Sequence, residues 1–143
     1  MTLFLLLTAC SGHSDFTGPS WDPETGYALY EEGDIYVAVA TRTRTRGQKS
    51  LFNEHVDVIE ASLPAQEGLV MYAFGGRFPG AWAETVSVWH DNEALGEFLA
   101  GAPHQDAKVD LELEVQHAIW EFDGADLPVD WEAAQERVDE LYQ

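Results

Sequence analysis

Apolar and polar positions change their period several times between Ile35 and Gln143, and each change marks an element. Ile35-Tyr36-Val37-Ala38-Val39-Ala40-Thr41 is β-branched and aromatic, a composition that suits a pleated strand, and the strand is expected to run to about Thr45. Gly47 breaks it. Leu51, Phe52, His55, Val56, Ile59 and Leu63 then recur at helical spacing with Asn53, Glu54, Asp57 and Glu60 opposite, which predicts an amphipathic helix ended by Pro64 and Gly68. Leu69 to Phe74 and Thr85 to Trp89 read as two further strands, joined by a turn from Gly75 to Gly80. Asp91 is a ready N-cap for a second helix carrying Leu95, Phe98 and Leu99, whose end Gly101 and Pro103 disturb. Val115 to Phe122 is a fourth strand, and Asp130 caps a last helix through Val138 and Leu141.

The order β-α-β-β-α-β followed by a helix is that of a ferredoxin-like α+β domain, here residues 35–143, with helices on one face of a four-stranded sheet. A sheet covered on one face alternates apolar with polar side chains, yet Tyr36, Ala38 and Ala40 lie opposite Ile35, Val37 and Val39. Both faces therefore need cover. A second copy of the sheet would supply it, closing an isologous homodimer into an α/β barrel. The segment from Trp21 to Tyr30 is the alternative.

Charge narrows the partners. The chain has 143 residues and a net charge of −19, so it would be repelled by nucleic acid and has few cations with which to displace counterions from phosphates. Anionic lipid is disfavoured for the same reason. With 45% hydrophobic residues the chain still has the material for a packed core. Four of the seven cations fall within Arg42 to Lys49, and the alternation of Thr41 to Arg46 puts Arg42, Arg44 and Arg46 on one face of the first strand. They could form an anion-binding ladder. The favoured, plainer reading pairs them with the acid excess, above all with the eleven acids between Val109 and Gln143.

Ahead of the domain, Leu3 to Leu7 is a short apolar run followed by Leu7-Thr8-Ala9-Cys10. This resembles the lipobox of bacterial lipoproteins, in which residues 1–9 would be removed and Cys10 would carry the lipid, in preference to a free or buried thiol. Met1-Thr2-Leu3 lacks a basic n-region, so the true start is expected upstream. The run is too short to span a bilayer, which takes ~20 apolar residues. Residues 10–34, punctuated by Pro19, Pro23, Gly26 and Gly33, read as a tether or an N-terminal arm. The expected location is the cell envelope, on the outer rather than the inner membrane because Ser11, not Asp, follows Cys10.

Gln66 to Tyr72, Glu84 to Trp89, and the spacing of Trp89, Leu95, Phe98 and His104 resemble the dimeric α/β-barrel superfamily, within it the antibiotic-biosynthesis-monooxygenase-like proteins and a related uncharacterised family. The likeness continues through Ile119-Trp120-Glu121-Phe122, Gly124, Leu127-Pro128 and Arg137-Val138. It implies oxidation of phenolic or quinone-like molecules by dioxygen without a cofactor, in a pocket between helices and sheet. The haem-degrading branch would place its functional Trp near Phe98 and its His near Lys108. Neither matches, so that route is not expected.

Such a pocket would be lined by Tyr72, Trp89, Phe98 and His55, with His104 as the candidate catalytic base, since imidazole titrates near neutrality. The plainer reading, again favoured, has His104 cap the second helix. A metal site assembled from His55, His104 and an acid lacks any local ligand spacing, so no metal is expected. The alternative function is a membrane-tethered binding or interaction module, and the discriminating feature is an ionisable group inside the pocket.

Overall fold

The computed structural model describes residues 12–28, 30–77, 82–125 and 129–143. Short strands β1 (Gly12–His13), β2 (Trp21–Asp22) and β3 (Tyr27–Ala28) precede the long strand β4 (Ile35–Thr45). Helix α1 (Lys49–Ser62), a single 3-10 turn at Leu63–Ala65, and strands β5 (Leu69–Arg77) and β6 (Trp82–Trp89) follow. Helices α2 (Asn92–Ala100) and α3 (Ala102–Asp110), strand β7 (Leu113–Asp123) and helix α4 (Trp131–Leu141) complete the chain. The main sheet has the order β1-β5-β6-β4-β7 and every pairing in it is antiparallel. Without β1 this is the ferredoxin-like α+β sheet, its first strand lying between its third and fourth.

Local chemistry explains the boundaries. Asp91 and Asp130 each accept a hydrogen bond at 2.8 Å from the backbone N–H three residues on, Ala94 and Ala133, and so start α2 and α4. The expected second helix ends at Ala100, before Gly101 as read, and a further helix, α3, that was not expected follows it. Gly101 is extended, and Pro103 sits in the first turn of α3, where its missing N–H removes no bond. His104 therefore lies inside a helix and does not cap one. The glycines Gly75 and Gly76, read from sequence as a turn, are strand residues paired with Glu84 and Ala83. Phe78 to Gly80, and Leu127-Pro128, lie outside the described residues.

Both faces of the sheet are apolar, and this chain lays cover on both, leaving Ile35, Val115 and Ile119 about half exposed on the α1–α3 side. Val37, Val39, Leu69 and Trp89 pack with Leu63, Leu95 and Phe98 on the α1–α3 side. Tyr36, Ala38, Ala40, Val86, Val88 and Ala118 face the other way, against Ala134 and Val138 of α4 and against Phe16, Trp21 and Tyr30 of the N-terminal segment. A bulge between Leu69 and Met71 turns Val70 and Met71 together onto this second face. The reason for expecting a second copy there, an uncovered face, is thus met within the chain.

The segment is accordingly an arm, and a flexible tether is not what residues 12–28 form. Ser14 N–H donates to the Phe74 carbonyl at 2.7 Å, and Thr17 and Tyr72 exchange a pair of backbone bonds at 2.9 and 2.7 Å. Gly18 is required where the arm crosses β5: its φ is 144°, and a Cβ there would lie 2.6 Å from the Met71 Cα.

Candidate functional site

The three arginines are engaged with acids. Arg42 is buried on the α4 side; its Nε donates to Glu84 at 3.1 Å and its Nη1 to Asp139 at 2.5 Å. Glu84 is 2% exposed and also meets His13 Nε2 at 3.1 Å, whose ring stacks on Trp131 at 4.1 Å. Arg44 binds Glu114 through Nε at 2.7 Å and lies 4.7 Å over the Trp82 ring, while Arg46 reaches the same Glu114 oxygen at 3.9 Å. Two of the acids, Glu114 and Asp139, come from the acid-rich C-terminal third. The ladder is an ion-pair network that ties the first strand to α4 and β7.

Among the pocket candidates, Trp89, Phe98 and His104 do come together. Trp89 is fully buried, its indole donates to Ser87 Oγ at 2.9 Å, and its ring lies 4.8 Å from Phe98. Phe98 in turn meets His104 edge-on at 4.3 Å. Burial pushes the His104 pKa below its ordinary value, the Lys108 ammonium adds to that, and the Phe98 carbonyl works against both. His104 Nδ1 is buried without a hydrogen-bond partner among the described residues. Tyr72 lies further along the same face, edge-on to Phe74 at 5.8 Å. His55 stands apart, joining α1 to α3 through Asp110 at 3.1 Å. Among the described residues no group of three His, Cys, Asp or Glu is placed to hold a metal ion. Cys10 lies outside the described residues.

The open space lies at the other end of this face. A half-open cleft of about 240 Å³ is bounded by Thr45, Lys49, Phe52, Asn53, Gly75, Gly76, Trp82 and Ala83. Tyr72, Trp89, Phe98, His55 and His104 are not among these lining residues. From Ala83 to Trp89 is six residues, about 20 Å along β6 at strand rise. Two features create the space. Gly76 and Ala83 pair directly, so the sheet presents almost no side chain there. Above them α1 has no fully buried residue, its apolar stripe of Phe52, Val56 and Ile59 only half sunk.

The cleft is chemically mixed. Phe52 gives it an aromatic wall, Lys49 an exposed ammonium without an ion-pair partner among the described residues, and Asn53 an amide, while Trp82 borders it at the strand end with its ring beneath Arg44 on the α4 face. Thr45 Oγ1 is buried without a hydrogen-bond partner among the described residues, a cost tolerated where a ligand or water can supply the bond. Sequence reading missed this set. The signal was present in the alternation of Thr41 to Arg46, in which the threonines face the helices.

No protein-family model matches the sequence, and no curated protein is similar to it. Solved structures are similar. SnoaB, a cofactor-independent oxygenase from Streptomyces nogalater, is 21% identical, with a TM-score of 0.51 over 59% of this chain and 90% of its own. Rv0793 from Mycobacterium tuberculosis is 18% identical, with a TM-score of 0.53 over 66% and 96%. A conserved protein from Methanosarcina mazei gives 13%, 0.52, 61% and 92%. The fold is shared. At these identities the likeness carries the ferredoxin-like α+β architecture and no residue roles.

Proposed function

We propose that the cleft under α1 binds a planar phenolic or quinone-like molecule and supports its oxidation by dioxygen without a cofactor. The observation that carries this is the pairing of an aromatic wall, Phe52, with an ammonium that has no ion-pair partner among the described residues, Lys49, and a buried hydroxyl without a hydrogen-bond partner among them, Thr45. An aromatic ring lying against Phe52 would bring its oxygen toward the ammonium, which favours the phenolate over the phenol. The phenolate is the electron-rich form that reduces dioxygen directly, one oxygen atom entering the product and the other leaving as water. That a protein of this fold, SnoaB, is a cofactor-independent oxygenase supports the reading.

An ionisable group, the exposed Lys49, stands at the rim of the cleft, which supports the reading without placing a charge inside it. Its test is a titration of the protein with naphthols and naphthoquinones, followed by tryptophan quenching and by oxygen consumption. Saturable quenching with oxygen uptake is expected, both lost in Lys49→Met. Saturable quenching without oxygen uptake would replace the enzyme by a binding module. Absence of saturable quenching across the panel would refute both.

The location proposed is the cell envelope, with the domain held by a lipid on Cys10 at the outer membrane. Cys10→Ser should leave the folded protein in the aqueous phase on detergent partition while the wild type enters the detergent phase. Equal partition of the two would overturn the anchor.

A further inference from the structure

The two edges of the main sheet are finished differently. The arm closes one of them, β1 pairing with β5 and Thr17 exchanging backbone bonds with Tyr72. β7 ends the sheet on the other side. Natural sheets blunt a free edge with proline, lysine, a bulge or a short strand. β7 has eleven residues, neither proline nor lysine, and an unbroken register with β4.

One bond shows which residues turn their backbone outward. His117 N–H donates to the Tyr142 hydroxyl at 3.3 Å and so points away from β4, and strand alternation turns the N–H and C=O of Leu113, Val115, Ile119 and Glu121 the same way. The side chains of that row lie on the α1–α3 face, where Ile119 pairs beside Val39. The helices stop short of it. Val115 is 44% and Ile119 48% exposed, so an apolar row runs along an edge that no strand covers among the described residues.

We propose that a second copy of this chain supplies the missing strand, β7 lying antiparallel to β7 about a two-fold axis through His117, so that two sheets become one. The fit of β7 to itself identifies the occupant. In that register every outward residue meets an outward residue, and Val115 falls opposite Ile119 of the second copy. Glu114 falls opposite Trp120 and Glu121 opposite Leu113, so no acid of the paired stretch meets another. The Arg137 guanidinium lies 5.7 Å over the Trp120 ring, which sets a cation where Glu114 arrives. A slip of two residues either way sets Val115 against His117 or Glu121 and breaks the apolar pair. The Tyr142 hydroxyl holds the place that a backbone carbonyl of the second copy takes.

This is an edge contact and not the barrel expected from sequence, whose face α4 and the arm fill. Two chains of −19 repel, so the pairing works against that repulsion and tightens as salt screens it. It leaves the cleft at β5 and β6 open, and so stands or falls apart from the ligand reading.

The experiment is sedimentation equilibrium on the full chain carrying Cys10→Ser, which removes both a lipid and the native thiol. A dimer is expected at micromolar concentration, tighter at high salt than at low. Ile119→Lys, at a half-exposed site, should keep the far-ultraviolet dichroism of the parent and weaken the dimer by about tenfold or more. Lysine lowers the net charge, so that loss cannot come from added repulsion. On oxidation His117→Cys, its two copies about 5.5 Å apart between Cα atoms, should cross-link, and Glu121→Cys, about 27 Å from its equivalent, should not. A monomer throughout the micromolar range overturns the proposal. So does a dimer that is unmoved by Ile119→Lys, that loosens as salt rises, or that cross-links at the Glu121→Cys position and not at His117→Cys.

Discussion

Arg42→Met tests the assignment of the arginines to structure. Arg42 and Glu84 are both under a tenth exposed, so removing the guanidinium strands a carboxylate in the sheet–α4 interface. Breaking such a pair by deleting one partner costs about 3–5 kcal/mol, most of it the unbalanced buried charge. Glu84 keeps His13 at 3.1 Å and Gln135 at 3.4 Å, and Asp139 is 52% exposed and can rehydrate, which places the expected loss near the low end, about 3 kcal/mol. For a domain of this size that is roughly a 10 °C fall in Tm. Adding Glu84→Gln removes the charge that was stranded, so the double variant should be more stable than Arg42→Met alone by about 1.5 kcal/mol or more. The assay is urea unfolding followed by far-ultraviolet dichroism at neutral pH, with all four members of the cycle. An Arg42→Met loss below about 1 kcal/mol, or additive losses in the double variant, would show that the pair is not a buried charge balance.

Ala83→Phe should fill the cleft from its floor, abolishing ligand quenching without lowering the thermal transition, because the ring enters space that is already open. For His104 the sign follows from burial: the native state holds the ring neutral, so below the unfolded pKa of about 6.5 the unfolded chain binds a proton that the folded one refuses, and stability falls with pH. The slope is at most about 1.4 kcal/mol per pH unit and less for a half-buried ring, and His104→Gln should flatten it in urea midpoints measured from neutral to mildly acidic pH. Gly75→Ala would set a Cβ 2.2 Å from His13 Cδ2, a ring that Glu84 and Trp131 hold in place, so the start of the arm should detach and become more sensitive to limited proteolysis.

The elements were legible because their signals are local. A β-branched run, a helical stripe and two aspartate caps are each set by neighbours in the chain, and Ile35 to Thr45 came out at both ends as read. Pro103 misled for a reason equally local: the same residue ends one helix and begins another, and only the extended Gly101 decides which. That both faces of the sheet are buried was also legible, from Tyr36, Ala38 and Ala40. Which of the two offered covers, a second copy or the Trp21–Tyr30 segment, lies on the second face was not, because Phe16, Trp21 and Tyr30 carry no period that distinguishes packing on their own sheet from hanging free, and α4 was not expected there.

The cleft was illegible for a deeper reason. Sequence reading finds sites by the groups that do chemistry, and so it went to Trp89, Phe98 and His104, which meet ring to ring and leave no room between them. A cavity, however, is made by what is missing. Gly76 opposite Ala83, and a helix whose apolar stripe never sinks fully, create the space in which Phe52, Lys49 and Thr45 matter. Close packing is the ordinary state of a protein interior. Half-buried Phe52, Val56 and Ile59 above a floor of small and hydroxylated residues therefore represent forgone stability. If nothing occupied that space, lengthening the floor with Ala83→Leu would stabilise the fold without consequence; if the space serves a ligand, the same change should raise Tm and weaken binding together. Those two readouts moving in opposite directions would tie the packing defect to function, and a stabilised variant with undiminished ligand quenching would sever it.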